Sequence, residues 1–301
     1  LSDGTPRDLH PAAPGEPLRL SLLRLGTRLA VLRRHADLVI GGVLLMAVVV
    51  LAVAGPSLID ADPRALSPGR RLLPPSAQHW FGTDQLGRDL FARVLHGARV
   101  SLLVGVAVAA LSSLLGAAVG MLSASDRRLD AVVMRVMDGV MSIPAILLAI
   151  ALMAVTGGSV LNVIIAVTIV EVPRVARLIR GIVLTLREQP YVEAAISVGT
   201  TWPRIVVRHL LPGIVAPLIV QATFVWATAM LLEAGLSFIG AGTPPTTPSW
   251  GNIMADGRAL WQIRPTLIFF PAVFLSVTLL AVNMLGDGLR DLLDPTQKRD
   301  P

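Results

Sequence analysis

Long stretches without a charged residue alternate along this chain with short stretches that carry nearly all of its arginines. Five charge-free windows occur: Leu38–Ile59, Val100–Ser123, Gly139–Val170, Leu210–Leu232 and Thr266–Gly286. A membrane-spanning helix needs about 20 mainly apolar residues, so four of the windows predict one span each. The third covers 32 residues. As a single helix it would extend roughly 48 Å, against a hydrocarbon core of about 30 Å. Gly157-Gly158-Ser159 supplies a break. The pattern therefore predicts one helix over Gly139–Val155 and another from Ser159 through Glu171 to about Arg180, and an all-α polytopic membrane protein with six transmembrane helices.

Composition supports lipid as the solvent. The chain has 301 residues, of which 53% are hydrophobic and only 15% charged, with a mean hydropathy of +0.69; soluble domains hold more charge. Aromatics are scarce, so the apolar mass is aliphatic. The net charge of +6 comes almost wholly from arginine, Lys298 being the only lysine. These charges lie between the apolar windows and form no basic stripe, which argues against nucleic-acid binding. There is no cysteine, which excludes disulfides and thiolate chemistry. Leu1–Glu16 lacks the basic flank and apolar run of a signal peptide, so no cleavable leader is expected within it.

Cytoplasmic flanks of spans carry the excess of Lys and Arg. With the N-terminus inside, 18 of these residues fall in interior segments and seven in exterior loops. Both termini are thus expected in the cytoplasm and the chain in the cell (inner) membrane as a multi-pass protein. Ahead of the first span, Leu22, Leu25, Leu29 and Leu32 recur at helical spacing opposite Arg24, Arg28 and Arg33. That reads either as an interfacial amphipathic helix or as a basic extension of the first span.

Catalytic chemistry is hard to place. The five histidines, His10, His35, His79, His96 and His209, are scattered and form no metal-ligand pair, so no metal is expected. The lone lysine follows Gln297 and cannot be the lysine of a Walker A loop. Polar side chains within spans are costly and are default pathway candidates. Asn162, Gln221 and Asn283 are such candidates, with Glu171 and Glu233 placed near helix ends where water reaches them. Ser112, Ser113, Gly116 and Gly120 read as a close helix-packing face. A secondary transporter would show ionisable groups near the midplane, and a membrane hydrolase would need converging His, Asp, Glu or Ser groups; both signals are weak.

The segment Arg187–Leu218 is the most informative. Pro190 opens a short helix over Tyr191–Val198, Gly199 is the residue type that ends a helix in a left-handed conformation, and Thr200 or Thr201 caps a second helix from Trp202-Pro203. Glu193-Ala194-Ala195, Gly199 and Leu211-Pro212 resemble the EAA loop of ABC importer permeases, with His209 standing where the family pattern has Ile. A second resemblance lies before the second span. Gly82-Thr83-Asp84, Gly87, Arg88 and Asp89 are similar to the signature of the second permease subunit of dipeptide, oligopeptide and nickel importers. Arg135, Asp138, Pro144 and Leu231–Gly242 also fit this family. Read physically, Thr83 or Asp84 caps a helix entering the span, with Arg88, Asp89 and Arg93 in an exposed charged turn.

The resemblance implies the type I ABC importer permease fold. It divides the chain into a cytoplasmic segment 1–37, a first helix 38–59, an extracytoplasmic loop 60–97, a five-helix core 98–290 with a coupling loop at 181–211, and a tail 291–301. It further implies a transport subunit without enzymatic activity of its own. Its partners would be a paralogous permease, two cytoplasmic ATPase subunits holding ATP and magnesium, and an extracytoplasmic peptide-binding protein; the chain itself would hold no cofactor. Glu193, Ala194, Ala195, Gly199 and Pro212 would dock the ATPase.

Overall fold

The computed structural model describes residues 36–58 and 62–293. The basic segment ahead of the first span and the tail beyond 293 lie outside the described residues. Among the described residues ten α-helices run in chain order: α1 Ala36–Leu58, α2 Leu90–Ser123, α3 Arg127–Met141, α4 Ala145–Thr156, α5 Val160–Arg187, α6 Pro190–Ser197, α7 Trp202–Ile205, α8 Leu211–Phe238, α9 Trp250–Gly257 and α10 Thr266–Leu293. A π-helical segment, Val206–Leu210, joins α7 to α8 without a break. Among the described residues there is no strand, only an isolated bridge between Thr83 and Asp89.

The six expected spans correspond in position to α1, α2, the α3–α4 pair, α5, α8 and α10, and the all-α polytopic architecture stands. By length and composition four units suffice to cross a membrane: α1, α2, the continuous Trp202–Phe238 unit and α10. The α3–α4 pair, bent by 89°, makes a fifth if it is one span. The expected single helix over Gly139–Val155 is therefore corrected. Ser142-Ile143-Pro144 separates α3 from α4, because Pro144 has no N–H to donate and pushes Ile143 out of the helical region. α5, with 28 residues, is about 42 Å long but carries Glu171, Arg174 and Arg177 in its middle.

α2 is the central element. Its 34 residues extend about 51 Å, and it begins ten residues before the apolar window that predicted it. One apolar core gathers its C-terminal half against α4, α5 and α8, and a second gathers its N-terminal half against α1, α9 and α10. The small residues allow close approach to α5. A Cβ on Gly116 would stand 2.5 Å from the Val175 Cβ, and one on Gly120 would stand 2.6 Å from the Ala176 carbonyl oxygen and 3.0 Å from the Arg180 backbone nitrogen. Backbone cannot yield as a side-chain tip can. Gly120→Val is expected to force α2 and α5 apart and cost about 1–3 kcal/mol or more, seen as a lower unfolding temperature in detergent; an unchanged midpoint would contradict this contact.

α3 is held differently. It buries no residue. Arg180 on α5 binds Asp130, and Arg177 binds Asp138, so two ion pairs clip it alongside α5. Its apolar residues Leu129, Val132 and Val136 stay exposed.

Candidate functional site

At the end of the bundle where α2 and α10 finish, the chain makes a compact helical turn between α5 and α8. Pro190 is in the first turn of α6 and needs no intrahelical donor there. Val192 is the one fully buried residue of α6. Glu193 and Ala194 are exposed and Ala195 half-buried, with Tyr191, Ile196 and Val198 adding exposed apolar surface.

Gly199 has φ +78°, its N–H donates to the Ile196 carbonyl at 2.9 Å, and the Thr200 N–H donates to the Ala195 carbonyl at 3.1 Å. This is the left-handed termination expected from the sequence. Thr201 then takes the N-cap position of α7, without a side-chain hydrogen bond.

The turn is tied to the bundle. The Arg187 guanidinium lies over the Trp202 ring, 5.0 Å from its centroid, and donates to the Ala124 carbonyl at the end of α2. Gly213 lets α8 approach Leu186, whose Cδ1 would be 2.7 Å from an added Cβ. Pro212 sits in the first turn of α8. His209 falls in the π-helical segment, its ring 6.2 Å from that of Tyr191. A π-segment adds a residue to a turn and re-aims the side chains beyond it, so His209 packs on α6.

At the opposite end stands a closed charged clasp, which corrects the expectation of an exposed helix entrance. Asp84 and Arg93 are each only 1% exposed. The Asp84 Oδ2 accepts from Arg88 Nε and from Arg93 Nη1, both at 2.6 Å. The Asp256 Oδ2, on α9, accepts from Arg88 Nη2 and Arg93 Nη1, both at 2.9 Å. Two cations thus face two anions, and the quartet is neutral. Such burial is tolerable only with this degree of pairing.

The rest of the signature has equally local reasons. Gly82 has φ +83°, and a Cβ there would lie 2.4 Å from the Leu73 carbonyl oxygen; at Gly87, φ +76°, it would lie 1.9 Å from that of Ser67. Thr83 Oγ1 accepts from the Leu73 N–H at 2.9 Å and donates to the Arg70 carbonyl. Neither Thr83 nor Asp84 caps α2. Asp89 does, its Oδ1 accepting from the Ala92 N–H at 2.9 Å while Oδ2 meets His79 Nδ1 at 2.8 Å.

The pathway candidates are not brought together. The Asn162 side-chain amide donates to the Thr156 and Gly157 carbonyls at 2.8 and 2.9 Å, which closes the α4–α5 turn. Gln221 lines a cleft of about 630 Å³ with Pro217, Phe224 and Arg290, toward the α6 end. Asn283 lies on α10, one turn before Gly286, which packs on Thr223.

Glu171 and Glu233 are not at watery helix ends: both are fully buried. Glu233 accepts from Ser101 Oγ at 3.2 Å and Ser237 Oγ at 2.8 Å. Asp256 and Asn252 were not singled out by sequence reasoning. Asn252 holds the loop before α9, donating to the Thr243, Pro244 and Thr247 carbonyls at 3.0–3.1 Å.

Known proteins are similar to this chain in sequence and in fold. The family model for the binding-protein-dependent transport system inner membrane component matches residues 97–299. A probable peptide ABC transporter permease protein, y4tQ, of Sinorhizobium fredii is 49% identical over 91% of this chain and 94% of its own length. The dipeptide transport system permease protein DppC of Alkalihalophilus pseudofirmus is 39% identical over 89% of this chain and 88% of its own. The glutathione transport system permease protein GsiD of Escherichia coli is 45% identical over 74% of each. Among solved structures, an inward-facing MetNI methionine ABC transporter superposes with a TM-score of 0.56 at 20% identity, covering 65% of this chain and 93% of the other.

Proposed function

This chain belongs to the family of binding-protein-dependent transport system inner membrane components, and from that premise we propose that it forms half of the translocation pathway of an ATP-driven importer of di- and oligopeptides or peptide-like solutes. It is a multi-pass permease subunit of the ABC importer type. Peptide, dipeptide and glutathione carriers among its relatives supply the substrate class.

The observation that carries the mechanism is the exposed α6, fixed at both its ends. An exposed short helix is a contact for another protein only if it moves as a rigid body with what it must move. Arg187 links it to α2, and the π-segment links it to α8. A push on Glu193, Ala194 and Ala195 therefore reaches two spans.

In this reading α6 docks one of two cytoplasmic ATPase subunits and a paralogous permease docks the other, both termini lie in the cytoplasm, and the clasp faces an extracytoplasmic binding protein. ATP and magnesium are held by the ATPases. Closure of those subunits carries α6, the Gly199 turn and Pro212 with it, and the spans tilt between inward-facing and outward-facing states. To swing such an equilibrium from 1:99 to 99:1, nucleotide must favour one state by about 5.5 kcal/mol. This chain performs no covalent step.

Affinity purification of the chain in mild detergent from its native host, with mass spectrometry of its companions, tests the assembly. Recovery of a second permease, P-loop ATPases and a binding protein is the expected result. A chain that stays alone under conditions preserving other membrane complexes would overturn it.

A further inference from the structure

Midway along α5, Glu171 is fully buried and both its carboxylate oxygens accept from Arg174 Nη1, at 3.0 and 2.8 Å. The arginine is not buried with it. Its side chain is 49% exposed and lines a cleft of about 130 Å³ together with Val140, Ile143, Pro144, Leu148 and Val170. Among the described residues, only Nη1 of this guanidinium has an acceptor. Its Nε and Nη2 are left without a protein partner, and the cleft that the side chain lines forms where Pro144 breaks the α3–α4 pair.

A purely structural role accounts poorly for this arrangement. An i,i+3 pair adds little to a helix, far less than burying a carboxylate costs. Aliphatic residues would pack the same place at lower cost. Glu171 does have one geometric effect: it fixes the guanidinium by one nitrogen and leaves the parallel N–H pair pointing away from itself. That pair matches a carboxylate bidentately. The cleft, at about 130 Å³, has room for a carboxylate beside the guanidinium. The neighbouring cation, Arg177, is already paired with Asp138.

We propose that the Nε and Nη2 edge of Arg174 takes the C-terminal carboxylate of a peptide in transit, with Glu171 as the residue that positions it. This rests on the importer reading above and specifies which end of the solute the pathway recognises. The other side chains that line the cleft are apolar.

The test uses the complete importer in proteoliposomes, with its binding protein and ATP. A mixture of dipeptides is supplied as free acids, and the same mixture as C-terminal amides, each at the concentration that gives equal occupancy of the binding protein. The wild type is expected to prefer the acids. Arg174→Gln should lower acid uptake about tenfold, the loss expected for a charge-assisted bidentate contact, and leave amide uptake within about twofold, so that the preference disappears. Arg174→Lys keeps the charge without the fork and should retain part of it.

An acid-to-amide ratio in Arg174→Gln equal to that of the wild type overturns the proposal. Loss of the complex on purification, with the ratio in the surviving fraction unchanged, also overturns it and assigns Arg174 to the contact with the second permease. If the Gln variant does not assemble at all, Arg174→Lys decides, and a wild-type ratio there counts against the site. Wild-type vesicles that accumulate neither mixture would instead overturn the peptide-importer reading itself.

Discussion

Arg93→Met is expected to destabilise the protein by about 3–5 kcal/mol, the scale for breaking a buried charge pair from one side. Methionine keeps most of the arginine's volume, so the cavity contribution is small and the loss is electrostatic. The Arg93 Nη1 serves Asp84 at 2.6 Å and Asp256 at 2.9 Å. Without it, the neutral quartet becomes a net anion around Asp84, which is 1% exposed and retains only Arg88 as a cation. Thermal unfolding in detergent, followed by tryptophan fluorescence, measures the effect, and Trp250 on α9 is a buried reporter close to the site. The double variant Asp84→Asn, Arg93→Met removes one charge of each sign and should be more stable than Arg93→Met alone. The resulting double-mutant cycle isolates the coupling. An unfolding midpoint for Arg93→Met within experimental error of the wild type would mean that the clasp is not what fastens the loop to α2 and α9.

The clasp also shows where reading the sequence runs out. Gly82, Thr83, Asp84, Gly87, Arg88 and Asp89 stood out as a pattern, yet its physical role was misplaced, because one of the two carboxylates that pair with Arg93, that of Asp256, lies 163 positions away. Nothing in the sequence around Asp256 marks it. Glu233 repeats the case: its hydroxyl partner Ser101 lies 132 positions distant. Without such partners in view, a charged or polar residue is naturally placed at a wet helix end.

The break at Pro144 was missed for a different reason. A search for charge-free windows weighs transfer energy and is blind to backbone geometry, so a proline inside an apolar run passes unnoticed. The opposite holds for features set by backbone conformation or by lipid. The spans were legible because hydrocarbon offers no partners for charges or for unpaired backbone. Gly116 and Gly120 were legible because small residues at a four-residue spacing have one main use between membrane helices. The end of α6 was legible at Gly199 because an L side chain resists the conformation found there.

That last position gives the second large effect. Gly199→Val is expected to reduce transport about tenfold or more while leaving the amount of folded protein in the membrane unchanged. No atom lies within 4 Å of where its Cβ would be, and φ is +78°. The penalty is thus conformational alone, about 1–3 kcal/mol for a side chain forced into the left-handed region, and greatest for a β-branched residue. The chain can relieve it only by rotating α7 relative to α6, which changes how a push on Glu193 is passed through the π-segment to α8. Gly199 itself is exposed and belongs to neither apolar core, while Val192 and Ile205 keep α6 and α7 anchored in one of them, so the adjustment is confined to the turn. A graded series discriminates this from a packing defect. Asn tolerates the left-handed conformation and should transport within about twofold of wild type, Ala should fall between, and Val should be lowest, with ATP hydrolysis continuing while uptake falls. Normal uptake by the Val variant, or an Asn variant as impaired as Val, would show that the angle at Gly199 does not carry the stroke.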